Sequence, residues 1–384
     1  MKKIAVSSAL CALLTLPSVG LGMKIYDGDD KSLDFYGSVR GFVGGGAAVG
    51  NADFSGTATQ PTVGTGTYLV GLQNNTHFGF NFKSGKVSGK IEVGLRENGA
   101  LGSAGGNDAG FRYFYGTYDF GGAGKLSFGK MGTPSAEGGF TSDFNNNNSA
   151  GQGFGSVAQA SRHLQLQYQI GPVNIAIIQD NADVGDGVAY PSGTRSYSAN
   201  PRFAIAYQPK IENLKLKVAA TIKQYGKTNA GKGGPANATA WHILAGVRPT
   251  FGKSHLSFFF NYGINGHLYV EQATNTSDGQ YGYNNINDIT GLDTKRLGAA
   301  LEYGLGLGDS TKLIVGAGYQ IAYGGIASNA DVNSVKAFLQ LPYKPSKEFT
   351  IAPQISYMDT AVTVGGTTTH HSGGVGMVRL MYDF

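Results

Sequence analysis

From Leu33 to Phe384 the chain repeats one pattern: segments of about ten residues in which apolar and polar side chains alternate, divided by turn residues. In a strand successive side chains point to opposite faces, so such a segment presents one apolar and one polar face. Leu33, Phe35, Val39 and Val43 share one parity, while Asp34, Tyr36, Ser38 and Arg40 share the other. Val87, Ile91, Val93 and Leu95 oppose Lys86, Ser88, Lys90, Glu92 and Arg96. Leu214, Leu216, Val218 and Ile222 oppose Lys215, Lys217, Thr221 and Lys223. Leu297, Ala299, Leu301 and Tyr303 oppose Arg296 and Glu302, and Val378, Leu380, Tyr382 and Phe384 oppose Arg379 and Asp383.

The alternation predicts sixteen strands, over residues 33–43, 74–83, 86–97, 110–120, 124–131, 159–170, 172–181, 199–208, 213–225, 239–249, 254–264, 292–304, 311–322, 333–343, 347–359 and 371–384. Residues 67–73 alternate as well. The connections sort into two kinds. Short ones (84–85, 121–123, 171, 209–212, 250–253, 305–310 and 344–346) take turns with long ones (44–73, 98–109, 132–158, 182–198, 226–238, 265–291, 323–332 and 360–370). Short turns at one end and long loops at the other characterise membrane barrels, whereas a soluble sandwich has no reason to sort its loops by side.

Composition agrees. Charged residues make up 14% of the chain, against about a quarter in an ordinary soluble domain. Glycine reaches 61 residues, with 21 tyrosines and 21 phenylalanines. Mean hydropathy is −0.14, and beyond the N-terminus no stretch nears 18 consecutive apolar residues, so no transmembrane helix is predicted. At the N-terminus, Lys2 and Lys3, the apolar stretch Ile4 to Leu16 and the small residues Gly20 and Gly22 read as a signal peptide over 1–22, leaving a barrel domain over 23–384. Cys11 lies in that leader, so the mature chain has neither a disulfide nor thiol chemistry. The 30 basic and 25 acidic residues are scattered, which argues against a nucleic-acid partner.

A membrane offers no water to open strand edges, so the sheet must close. Sixteen strands enclose an aqueous channel, whereas about eight would be filled by side chains. The polar parity then faces the lumen. Its basic members are Arg40, Lys90, Arg96, Arg112, Arg202, Lys217, Lys223, Arg248, Arg296, Lys336 and Arg379; its acidic members are Asp34, Glu92, Glu302 and Asp383. The excess of cations predicts a mild anion preference.

Three stretches resemble the general porins of Gram-negative bacteria, especially the enterobacterial kind: Met23 to Gly37, Phe111 to Gly132, and the terminal strand ending Tyr382-Asp383-Phe384. The resemblance implies an all-β, sixteen-stranded antiparallel transmembrane barrel, a homotrimer in outer-membrane lipid and lipopolysaccharide, reached through the periplasm. It also implies that the third extracellular loop, here 132–158, folds inward with acidic residues opposite a basic wall. Matched by position, the loop acids are Glu137, beside Gly138-Gly139, and Asp143. The wall residues are Arg112, His77 and Arg40, with Ser38 where the family has a basic residue. Arg162 shares parity with Leu164, Leu166 and Tyr168. Either a bulge turns it to the lumen or it sits at the membrane interface. Phe384 and Tyr382 resemble the signal read during outer-membrane insertion.

Other chemistry finds little support. His370-His371 point apart on a strand and suggest no metal site. Gly151-Gln152-Gly153-Phe154-Gly155 lacks the lysine and following helix of a phosphate loop. His163 and His242 have lumen parity but no nucleophile beside them, so no enzyme and no cofactor is expected. A sugar-specific channel would show an aromatic ladder on the lumen face, and Phe259 and Phe338 alone do not make one.

Overall fold

The computed structural model describes residues 22–49, 66–73, 76–96, 108–136, 139–143, 162–179, 201–226, 237–265, 295–324 and 330–384. The expected signal peptide over 1–22 lies outside them, save for Gly22. The strands are β1 (Met23–Asp27), β2 (Lys31–Val49), β3 (Gly66–Leu72), β4 (His77–Ser84), β5 (Val87–Arg96), β6 (Asp108–Asp119), β7 (Lys125–Gly132), β8 (Arg162–Ile170), β9 (Val173–Gln179) and β10 (Arg202–Tyr207). They continue as β11 (Lys210–Ile211), β12 (Leu214–Gly226), β13 (Asn237–Phe251), β14 (Ser254–Ile264), β15 (Lys295–Gly306), β16 (Lys312–Tyr323), β17 (Ala330–Gln340), β18 (Phe349–Val364) and β19 (Thr367–Asp383).

Each strand pairs antiparallel with its sequence neighbour, and β19 returns to β2, from Asp383↔Ser38 to Ser372↔Val49. The result is a closed barrel of sixteen wall strands. Two of these are interrupted. β3 and β4 share one position beside β2, and β10 and β11 share another beside β12. The sequence pattern missed β1, a short strand hairpinned onto β2 (Met23↔Phe35). It takes up the edge of β2 where the other chain end leaves off, since Phe384 exchanges backbone hydrogen bonds with Gly37 at 2.8 and 3.0 Å.

Short turns carry the residues their geometry demands. Asn213 has φ 58° in the turn between β11 and β12, a left-handed conformation that asparagine tolerates better than most residues. Gly365 and Gly366, at φ 56° and 84°, form a two-residue hairpin between β18 and β19. That turn corrects an expectation. Residues 360–370 are not a long link, because both strands run on to meet at the glycine pair.

Burial is inverted relative to a soluble protein. Phe114, Phe128, Ile205, Val218, Leu301 and Ile355 are exposed, whereas Gln165, Lys217, His242, Asn261, Glu302 and Gln354 are buried. The exposed set lies on the outer face of the barrel and the buried polar set on the inner face. An apolar band around the whole outside and a polar interior match a wall that meets lipid outside and water inside.

Candidate functional site: the lumen and its inward segment

One side of the lumen, formed by β2, β4, β5 and β6, carries a charge cluster centred on Glu92 of β5. Its carboxylate lies 2.7 Å from Arg112 Nε, 3.0 Å from Lys90 Nζ and 3.8 Å from His77 Nε2. Tyr36 Oη donates to it at 2.9 Å. The Lys90 ammonium lies over two rings, 4.8 Å from the Tyr36 centroid and 4.5 Å from that of Tyr113. Contacts of this kind are attractive because the ring face is electron-rich.

A β-bulge sets this geometry. Glu92 pairs with Tyr113 while Val93 pairs with Phe111, so Arg112 is the extra residue. Phe111 and Phe114 are exposed on the outside, and the two residues between them serve the inner cluster. The bulge also bears on the choice left open for Arg162. Its guanidinium lies 4.9 Å from the Tyr113 ring centroid, so it turns to the lumen cluster despite the parity of its own strand. The bulge lies in β6, while β8 pairs in regular register, so the parity of Arg162 itself is not reset. Arg40 lies nearby on β2. Its Nε donates to Ser38 Oγ at 2.9 Å, and its backbone holds the break between β3 and β4 through Thr76 Oγ1 and the Gln73 amide.

The opposite side is organised by the described part of the third loop, 133–136 and 139–143. Residues of this segment bond to inner-face side chains of β12, β13, β14, β15, β17 and β18. Lys217 Nζ donates to the Ala136 carbonyl at 2.6 Å, and Lys215 Nζ and Arg248 Nη1 donate to that of Gly139 at 3.1 and 3.3 Å. His242 Nε2 meets the Ser135 carbonyl at 3.2 Å. Ser257 donates to Phe140, and both the backbone amide and the hydroxyl of Ser142 donate to Glu302. Glu302 also contacts His255 at 2.8 Å and Arg248 at 3.4 Å. Gln340 Nε2 donates to the Ser142 carbonyl at 3.0 Å. Asp143 pairs with Lys336 and accepts from Gln354 Nε2 at 2.6 Å.

The structure therefore brings together Arg40, His77, Lys90, Glu92 and Arg112 on or beside one wall, and sets Asp143 against the other. Asp143 was expected to face the basic wall from the loop; its carboxylate is instead occupied by Lys336 and Gln354. Glu137 and the side chain of Arg96 lie outside the described residues. Arg202 and Arg296 occupy inner-face positions but are fully buried, at 0% exposure, so they do not line open water. Tyr382 and Phe384 face outward, their rings 6.0 Å apart, with Phe35 at 5.5 Å from Phe384. His370 belongs to no metal-binding cluster among the described residues; its Nδ1 lies 3.0 Å from Asp359.

Reasoning from sequence missed three contributors. Tyr113 was hidden by the bulge. Tyr115, whose ring lies 6.3 Å from that of Tyr113, was readable from parity as a lumen aromatic. His255 shared the inner parity of Phe259, but its partner Glu302 on the neighbouring strand could not be read from sequence.

No family model matches the chain, and no curated protein matches it. Solved structures do. The outer-membrane channel DcaP of Acinetobacter baumannii superposes with a TM-score of 0.66 at 15% identity, over 92% of this chain and 98% of that one. The fold is that of a porin barrel. An anion-selective porin from Comamonas acidovorans gives 0.61 at 16% identity over 92% and 100% of the two chains. OmpF of Salmonella typhi gives 0.57 at 14% identity over 94% and 100%.

Proposed function

We propose that this chain is an outer-membrane porin of a Gram-negative bacterium, passing small hydrophilic solutes and ions by passive diffusion, without catalysis or cofactor. The observation that carries the reading is the inverted burial: a closed antiparallel wall, apolar outside all round, with a charged and polar interior. A homotrimer embedded in lipid and lipopolysaccharide accompanies the reading, by analogy with the porins this barrel resembles. Basic side chains outnumber acidic ones on the inner face, which supports a mild anion preference. The third loop, entering the lumen through residues 133–136 and 139–143, supplies the constriction.

Refolded protein in a planar bilayer tests this directly. Stepwise ohmic conductance is expected, with a reversal potential under a KCl gradient that favours chloride. Absence of steps overturns the pore; clear potassium preference overturns the selectivity.

A second reading, a channel selective for particular solutes, gains from Tyr36, Tyr113 and Tyr115 on the inner face beside Lys90. Aromatic faces flanked by cations offer stacking and charge to a passing solute. Saturable block of the ion current by a solute would favour this reading, and linear flux would favour general diffusion.

A further inference from the structure

Most inner-face positions are polar, but some are apolar, and one apolar patch lies beneath the inward segment. Phe140, in the inward segment, is 1% exposed and packs with Ala206, Ala219, Leu244 and Phe259. Its ring stacks on that of Phe259, with centroids 6.0 Å apart and planes 30° apart. Beneath it lies Gly246 of β13. A Cβ at that position would come within 2.6 Å of the Phe140 ring, so the ring occupies space that any other residue would fill. This is a small hydrophobic core built inside a channel, between a loop and a wall.

The same segment covers cations. Lys215, Lys217 and Arg248 donate to its backbone carbonyls, and Lys336 pairs with Asp143. Lys217 and Lys336 are left 6% and 2% exposed. Lys217 and Lys336 are thus kept from the permeating solution by coverage.

We infer that Phe140 seated on Gly246 is the latch that holds the inward segment down, and that this latch sets both the limiting cross-section and the ion selectivity of the pore. The inference rests on the pore reading above. Polar bonds alone exchange readily for water once the segment lifts, because their net worth is small. The apolar contact has no such substitute, since lifting it exposes Phe140, Leu244 and Phe259 to water. Opening the latch widens the passage and uncovers the cations together.

The test is bilayer recording of the refolded full chain as wild type, Gly246→Ala and Phe140→Ala. Gly246→Ala fills the slot; Phe140→Ala removes the ring without altering any wall strand, so barrel folding is preserved in at least one variant. Both are expected to show larger conductance and a reversal potential shifted further toward chloride. Unchanged or smaller conductance in Phe140→Ala overturns the latch, and larger conductance without the chloride shift overturns the covering role. A wild-type chain that does not conduct at all instead refutes the pore reading.

Discussion

Replacing Glu92 by glutamine isolates the charge at the centre of the wall cluster. The side chain keeps its size and still accepts from Tyr36, so the neutral hydrogen bond at 2.9 Å survives. What is lost is the countercharge for Arg112 at 2.7 Å and Lys90 at 3.0 Å. The Glu92 side chain is 3% exposed and that of Arg112 15%, so water cannot replace it fully. Removing one partner of a buried pair costs about 3–5 kcal/mol, because the other charge stays buried. Lys90 has 25% exposure and two ring faces to lean on, which places the expected loss toward the lower end, about 3 kcal/mol. The single tryptophan, Trp241, lies beside Tyr262 on β13, with ring centroids 5.7 Å apart. It serves as a fluorescence reporter for reversible urea unfolding from lipid vesicles. Adding Arg112→Gln to Glu92→Gln should recover part of the loss, since it removes the stranded charge. A change below about 1 kcal/mol, the scale of a surface pair, would refute this account of the cluster. So would a double variant that is no better than the single one.

Deleting Phe384 removes the ring that packs on Phe35 and the backbone bonds to Gly37; folded yield should fall while the conductance of assembled pores stays the same, checked by heat-modifiable mobility and bilayer recording. Gly365→Val forces a β-branched residue to φ 56°, which should destabilise the barrel by roughly 1–2 kcal/mol, measured by urea titration. From the turn between β13 and β14, the Lys253 ammonium holds the carboxyl of Asp309, in the turn between β15 and β16, below the usual carboxylate range. Whatever stability this pair adds is present above the unfolded pKa and fades as pH falls through the lowered one. Lys253→Ala should therefore move the Asp309 titration midpoint up, read by carboxyl NMR, and an unmoved midpoint would rule out the pairing.

The barrel was legible because lipid outside and water inside impose a period of two on every wall strand. Strand order followed from the link lengths. The inner cluster was less legible, for a reason visible at Arg112. Parity assigns a face to every second residue, and one bulge shifts the phase of the strand beyond it, which hid Tyr113; Arg162, on regular β8, is placed by its contact with the Tyr113 ring. Asp143 shows a different limit. Its partner, Lys336, lies nearly two hundred residues away on a strand that sequence could not set opposite it. The apolar latch left a trace, in Phe140 and the apolar inner-face positions Leu244 and Phe259, that polar-lumen reasoning had no place for.

The hairpin of β18 and β19 is longer than a membrane requires. At about 3.3 Å per residue, the sixteen residues of β18 extend roughly 50 Å, and a tilt near 45° leaves about 37 Å of height against an apolar band of about 25 Å. Its upper part, where threonines and histidines replace the alternation, stands clear of the bilayer. The strand goes on after the lipid has ended, so alternation in this chain works as a depth gauge and its loss marks the waterline. A paired ribbon capped by two glycines is stiffer than an open loop. Such a ribbon would act as a mast, holding Asp359, His370 and the Gly365-Gly366 tip at a fixed distance from the membrane.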